Sequence, residues 1–341
     1  MAEEAALDIE QPAALLAYLH ATGRLAPGEL VAIQPLGGGV SNRTVLVERA
    51  SGANWVLKQA LAKLRVAVDW FSSPLRIERE ALALRWLPDL APPGTTTPLV
   101  FEDRAQHLLA MQAVPHPHAN WKTMLLTGAL KPDHVRQFGR LLGALHRNAA
   151  ARLEELPADF ADRTFFESLR LEPYYAYTAT QVPEATSFLT NLIADTRALR
   201  LTLVHGDYSP KNILVHRDRL ILLDHEVIHL GDPAFDLGFS LTHLLSKAHH
   251  LRDHRDAFAE AALLYWTTYR QAAGDVAWAA DLEPRAVRQT LGCLLARVAG
   301  RSPLEYLDAG ERQRQRDAVL ALLPAPPDTV YELVHRFLAG V

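Results

Sequence analysis

A single cysteine among 341 residues rules out a disulfide framework, and Cys293 stands inside the apolar run Leu291 to Leu295, where a buried, inert thiol is expected. That usage fits a reducing compartment. No window of about 18 apolar residues occurs, so no membrane-spanning helix is expected. The stretch Met1 to Leu15 carries acids at Glu3, Glu4, Asp8 and Glu10 and no basic segment ahead of an apolar one, which is not the pattern of a secretory signal. Positive charge is not in surplus either. The formal net charge of -4 gives no field for nucleic acid or an anionic membrane surface. There is no repeat of solenoid length and no low-complexity block beyond a short loop at Pro92, Pro93 and Thr95 to Thr97. These absences leave a cytoplasmic globular protein whose partners are small molecules. The sequence carries no signal of oligomeric state.

With 49% hydrophobic and 22% charged residues, the chain has apolar material for a large core. The periodicity predicts a helix over Asp8 to Thr22 with Asp8 as N-cap, then strands at Thr44 to Glu48 and Asn54 to Gln59 joined by a Ser51-Gly52 turn. Gly37 to Gly39 break the strand that precedes them. A helix is expected from Pro74 to Leu87, capped by Ser72 or Ser73, and a strand over His107 to Met111. Beyond Val114 the pattern is mostly helical, including Val135 to Arg147 and Pro233 to Ala248, with short strands near Asn212 to Val215 and Leu220 to Leu223. A β-rich front and a helical back predict an α+β, two-lobed fold, residues 1–112 and 113–341, with a ligand in the cleft between the lobes.

The chemistry is concentrated in Leu203-Val204-His205-Gly206-Asp207-Tyr208-Ser209-Pro210-Lys211-Asn212-Ile213-Leu214-Val215, an apolar strand, a polar loop and a second apolar strand. Asp207 stands five residues before Asn212, and a tight hairpin around Asp218 then delivers Asp224. One aspartate in a loop is an ordinary turn residue; the ordered set is not. Carboxylate, amide and carboxylate are what phosphoryl transfer needs, a base for the acceptor hydroxyl and hard oxygens for magnesium. The spacing of His205-Gly206-Asp207 to Asn212 is that of the protein-kinase catalytic loop, with Gly206 in place of arginine.

On these residues, and on Asp224 followed by Gly231-Asp232-Pro233-Ala234-Phe235-Asp236, the chain resembles the aminoglycoside phosphotransferase and choline kinase family over roughly 31–245. The resemblance implies a protein-kinase-like fold, with Asp207 as catalytic base, Asn212 and Asp224 as magnesium ligands, and Asp236 bracing the catalytic loop. His205 is expected to be structural, and Lys211 is either a phosphate contact or a solvated lysine. His225 stands where the family often has an aromatic residue or proline.

The front lobe then has to supply the ATP site. Gly37, Gly38, Gly39, Ser41 and Asn42 form the loop expected to cover the phosphates. Lys58, after the hairpin, matches the family's ATP-binding lysine. Of two glutamates able to hold it, Glu78 falls beside Arg85 on a polar face, whereas Glu80 falls among Ile77, Ala81, Leu84 and Leu87 and needs a cation, so Glu80 is the expected partner. Met111 to Val114 would be the hinge, with the backbone of Met111 and Ala113 at the adenine edge.

The acceptor is expected to be a small hydroxyl compound, an aminoglycoside, sugar or amino alcohol. The Pro115-His116-Pro117-His118 segment resembles methylthioribose kinase and keeps a sugar in view. Glu226, Glu167, Glu172 and Asp162 are acids available for a cationic acceptor, and Tyr174, Tyr175 and Tyr177 are either a stacking wall or core. Two other classes compete: a metal hydrolase built on His205, Asp207, His216, His225 and His229, and a kinase fold that binds nucleotide without turnover. The intact base, magnesium ligands and lysine favour catalysis.

Overall fold

A computed structural model describes residues 7–37, 39–65, 69–276 and 278–341. Five strands, β1 (Val31–Pro35), β2 (Asn42–Arg49), β3 (Trp55–Ala60), β4 (Leu99–Asp103) and β5 (Leu108–Gln112), form one antiparallel sheet in the order β1-β2-β3-β5-β4. Alternation gives β3 two faces. Trp55 and Leu57 join Val45, Val47, Leu108 and Ala110 against Leu15 and Leu19 of α1 (Pro12–Ala21). Val56 and Ala60 face the other way, with Leu109 and Met111, onto Ile77, Ala81 and Leu84 of α2 (Arg76–Leu90).

Both of these helices begin later than the sequence predicts. Asp8 does not cap α1; its Oδ1 accepts from the Glu10 amide at 2.9 Å in a preceding turn, and Pro12 opens the helix. Neither Ser72 nor Ser73 caps α2: the Ser73 hydroxyl accepts from the Leu75 amide at 3.4 Å in a turn before the helix, and Leu75 stands at the N-cap with no side-chain cap.

The second half is helical, around α3 (Trp121–Leu126) and the 20-residue α4 (Pro132–Ala151). α4 lies against the helix Arg255–Ala273 at Gly139 and Gly143, where a Cβ would come within 2.8 Å of Tyr265 O and 2.7 Å of Tyr269 O. The small residues let the two backbones approach. Cys293 is buried in this core beside the Tyr175 hydroxyl, and burial pushes its thiol up to about 12. No helix among the described residues is long and apolar enough to cross a membrane.

Four short strands, β7 (Thr202–Val204), β8 (Ile213–His216), β9 (Arg219–Leu222) and β10 (His229–Gly231), carry the polar loops, with β6 (His118–Asn120) on the edge of β8. β7 pairs with β10 and β8 with β9, both antiparallel.

Candidate active site

From the end of β7 the chain turns through His205, Gly206 and Asp207, makes one tight turn over Pro210–Asn212, and enters β8. Gly206 has φ 76, and a Cβ on it would meet Val227 Cγ2 at 3.0 Å and Val227 O at 3.1 Å. This crowding explains why no arginine stands there. Arg217 and Asp218 turn the hairpin with φ 50 and 58, and β9 leads to Asp224, itself at φ 66. The Leu223 amide donates to Asn212 O at 2.9 Å, which sets Asp224 beside Asn212.

Asp236 holds this loop from below. Its Oδ2 accepts from the His205 amide at 2.7 Å and its Oδ1 from the Gly206 amide at 2.8 Å, and His146 Nε2 lies 3.2 Å away. Burial alone would raise its carboxyl; the hydrogen bonds from His146 and the loop hold it below the usual range. His205 accepts the Asp207 amide on Nδ1 and faces His225 across 3.2 Å, and burial drives both imidazoles to the neutral form.

Asp207 Oδ2 accepts from Asn212 Nδ2 at 2.7 Å and lies 2.9 Å from Arg170 Nη2. Opposite, Lys58 Nζ lies 2.7 Å from Glu80 Oε1 and 2.8 Å from Asp224 Oδ1. Glu78 goes instead to Arg104 at 3.5 Å. Burial would strip Lys58 of its proton, yet Asp224 and Glu80 outweigh it and raise the ammonium's pKa. One cation cannot satisfy two buried carboxylates equally. Burial carries Glu80, fully enclosed, up to about 7 despite Lys58, while Lys58 keeps Asp224 below its ordinary value against the same burial effect.

A cavity of about 1330 Å³ joins these groups, room for a nucleotide and an acceptor together. Lys58, Met111, Ala113, Asp207, Asn212, Asp224, Gly37, Gly39 and Ser41 line it; Gly38 lies outside the described residues. Two expected contacts differ. Asn42 is buried under the loop instead of lining the cavity, its Nδ2 donating to Glu226 Oε2 at 3.1 Å. The Ala113 amide already donates to Asn54 O at 2.8 Å, so only its carbonyl remains for a ligand, next to the Val114 amide, which has no partner among the described residues.

The donor set suits a hard cation. Asn212 spends its amide nitrogen on Asp207, and Asp224 spends one oxygen on Lys58; the remaining oxygens, Asn212 Oδ1 and Asp224 Oδ2, accept nothing from the described residues. The alternative histidine set does not assemble. His216 bonds Pro117 O, His229 bonds Val227 O and stacks on Phe166, and the described residues hold no group of three His, Cys, Asp or Glu placed for a metal.

The acids reserved for a cationic acceptor are taken. Glu226 lies 3.1 Å from Arg76 Nε, Glu167 pairs with Arg197 at 2.7 Å, Glu172 with Arg301 at 3.0 Å, and Asp162 accepts from Thr164 and lies 3.5 Å from Arg79. Tyr175 is core, whereas Tyr174 reaches the cavity.

Three arginines escaped sequence reasoning. Arg76 is fully buried and donates to the carbonyls of Ser41, Leu61, Ser72 and Ser73 besides pairing with Glu226. Arg170 sits with Tyr174 on one face of a wide π-helical stretch, Glu167–Ala176. Arg297 lies on the cavity wall in the last turn of the helix Leu282–Ala299. A cation inside Leu169-Arg170-Leu171 or Leu295-Ala296-Arg297-Val298 was the available signal, since a charge in an apolar run needs a partner.

A model of a phosphotransferase enzyme family matches residues 32–279. Solved structures with the same fold include a macrolide 2'-phosphotransferase from Brachybacterium faecium, 17% identical over 91% of this chain and 98% of its own, TM-score 0.53. An amicoumacin kinase in complex with AMP-PNP, Ca2+ and Ami is 15% identical over 88% of this chain and 90% of its own, TM-score 0.51. A choline/ethanolamine kinase family protein from Mesorhizobium loti is 16% identical over 96% and 98%, TM-score 0.50. At these identities the likeness is one of fold, and the fold is the two-lobed, protein-kinase-like one. No sequence among the curated proteins matches the chain.

Proposed function

This chain belongs to the phosphotransferase enzyme family, and from that premise we propose that it transfers the γ-phosphate of ATP to a hydroxyl of a small acceptor, an aminoglycoside, sugar or amino alcohol. The observation that carries the reading is the juxtaposition across one cavity of the Asp207–Asn212 pair and Lys58 held between Glu80 and Asp224.

Asp207 accepts the acceptor's hydroxyl proton as the oxygen bonds to phosphorus and the bond from phosphorus to the ADP oxygen breaks. Asn212 and Arg170 fix the orientation of that carboxylate. Lys58 offsets phosphate charge, and Glu80 keeps its ammonium from collapsing wholly onto Asp224. Asn212 and Asp224 would hold magnesium, which supplies charge compensation for the phosphate oxygens. Gly37, Gly39 and Ser41 cover the phosphates, with Asn42 as an anchor beneath them. The adenine edge meets the Ala113 carbonyl and the Val114 amide, just past Met111, and the lobe boundary falls between 112 and 113.

The test is ADP release from ATP and magnesium against a panel of hydroxyl acceptors. Asp207→Asn should lower turnover by about 10²- to 10⁴-fold, the share of a general base. Asp224→Asn should abolish the rise in melting temperature given by ATP with magnesium. A wild-type protein that neither binds nucleotide nor turns over any acceptor would refute the reading.

A further inference from the structure

Beyond Asp207 the cavity is walled by Lys122, Tyr174, Phe239, His243, Arg297 and Arg301. Arg297 is 9% exposed. Its Nη1 donates to the Tyr174 hydroxyl and to Ser302 Oγ, both at 2.9 Å, and to the Ser302 carbonyl. All three partners are neutral. Its Nε is buried without a hydrogen bond, and no carboxylate among the described residues lies within ion-pairing distance. An arginine does not relieve such burial by losing its proton, so its countercharge has to come from elsewhere.

Glu305, the acid on this wall, is committed to Lys122, and Arg301 has Glu172 beside it. Arg297 is the cation left over on this wall. The nucleotide's phosphates do not account for this charge, since Lys58, Asn212 and Asp224 mark their place. Tyr174 instead relates Arg297 to the base: its ring centre lies 5.5 Å from the Arg297 guanidinium carbon and 5.8 Å from that of Arg170, which holds Asp207.

Resting on the kinase reading above, we infer that the acceptor carries an acidic group, a carboxylate or a phosphate ester, seated on Arg297 with Arg301 and Lys122 at the rim, while its hydroxyl meets Asp207. This narrows the acceptors proposed above: a sugar or other small alcohol bearing an acidic group suits this wall, and a polycationic aminoglycoside or a choline-like ammonium does not. Nη1 is spent and Nε is enclosed, so Nη2, which has no partner among the described residues, is the nitrogen left to give the acid a charge-assisted hydrogen bond.

The experiment uses the full chain with ATP and magnesium and acceptors matched in skeleton: glucose, gluconate, glucose 6-phosphate and glucosamine; glycerol, glycerate and glycerol 3-phosphate; and an aminoglycoside. ADP release is read, and binding in the presence of AMP-PNP by thermal shift. The acids should be preferred to their neutral and ammonium counterparts, and the carboxylate and phosphate members separate the two sources of charge. Arg297→Met should raise KM for the preferred acid by about 10- to 100-fold, the worth of a charge-assisted hydrogen bond, with the nucleotide shift unchanged. Arg297→Lys should recover part of it, and Arg301→Gln, at the cavity rim, should give a smaller rise even where Arg297→Met fails to fold. Preference for a neutral or cationic acceptor, an acid preference that survives both substitutions, or no acid bound at millimolar concentration while AMP-PNP still shifts the wild type would overturn the inference. Loss of the nucleotide shift in the wild type would overturn the kinase reading itself and this inference with it.

Discussion

Arg170 and Asp207 form a buried ion pair, Nη2 to Oδ2 at 2.9 Å, and the same guanidinium donates through Nε to Gly206 O at 2.8 Å. Arg170 thus grips both the side chain proposed as base and the backbone immediately before it. Burial would weaken the guanidinium's hold on its proton, and the Asp207 charge more than restores it. Arg170→Met should lower kcat by about 10- to 100-fold through misplacement of the carboxylate, with nucleotide affinity unchanged. Arg170→Lys should recover little, since one ammonium cannot reach both acceptors. Steady-state kinetics beside a nucleotide titration check this.

Glu80 has one oxygen on Lys58 and the other, Oε2, buried without a partner. Glu80→Gln removes a carboxylate that burial already disfavours, so the variant should be at least as stable as the wild type. It should nevertheless lose about 10-fold or more in kcat/KM for ATP, because Lys58 is then drawn to Asp224. Urea unfolding and kinetics on one preparation separate the two effects.

Lys247 is fully buried, and burial, together with the charges of Lys122 and Arg297 and against that of Glu305, lowers its pKa to about 7. The unfolded chain therefore binds a proton that the folded chain has released between about pH 7 and the ordinary lysine value. Stability tied to this group is present above that ordinary value and lost as pH falls through 7. Lys247→Met should raise the melting temperature at pH 6, by the equivalent of about 1 to 4 kcal/mol, and the gain should shrink toward pH 10. Thermal melts of both proteins across that range test it.

Gly206→Ala adds a Cβ at φ 76 that meets both a side chain and a carbonyl of Val227. It should cost about 1 to 3 kcal/mol in denaturant unfolding and lower activity further than stability alone explains, because the strained residue directly precedes Asp207.

The lobes and the two strand-loop-strand units were legible because their signals are local. Alternation marks β3, and the three-to-four-residue stripe separates Glu80 from Glu78 along α2. What the sequence could not show are partnerships fixed by tertiary packing. Asn42 belongs to a glycine loop by its neighbours, but Glu226, 184 residues later, draws it under that loop. Ala113 reads as a free hinge amide, but it donates to Asn54 O, one step beyond the Trp55–Gln112 end of the β3-β5 pairing. Glu226, Glu167, Glu172 and Asp162 look alike as acids; only the fold reveals the arginine beside each. The helix starts of α1 and α2 slipped for a related reason, since Asp8 and Ser73 serve turns that precede the helices.

Arg76 sets the mechanics of the cleft. Its guanidinium donates to the carbonyls of Ser41 in the glycine loop, of Leu61 after β3, and of Ser72 and Ser73 before α2, and it meets Glu226 two residues beyond Asp224. Parting the lobes on that side would break the buried Arg76–Glu226 pair and the Asn42–Glu226 contact together, so one carboxylate ties the glycine loop to the strip that follows Asp224.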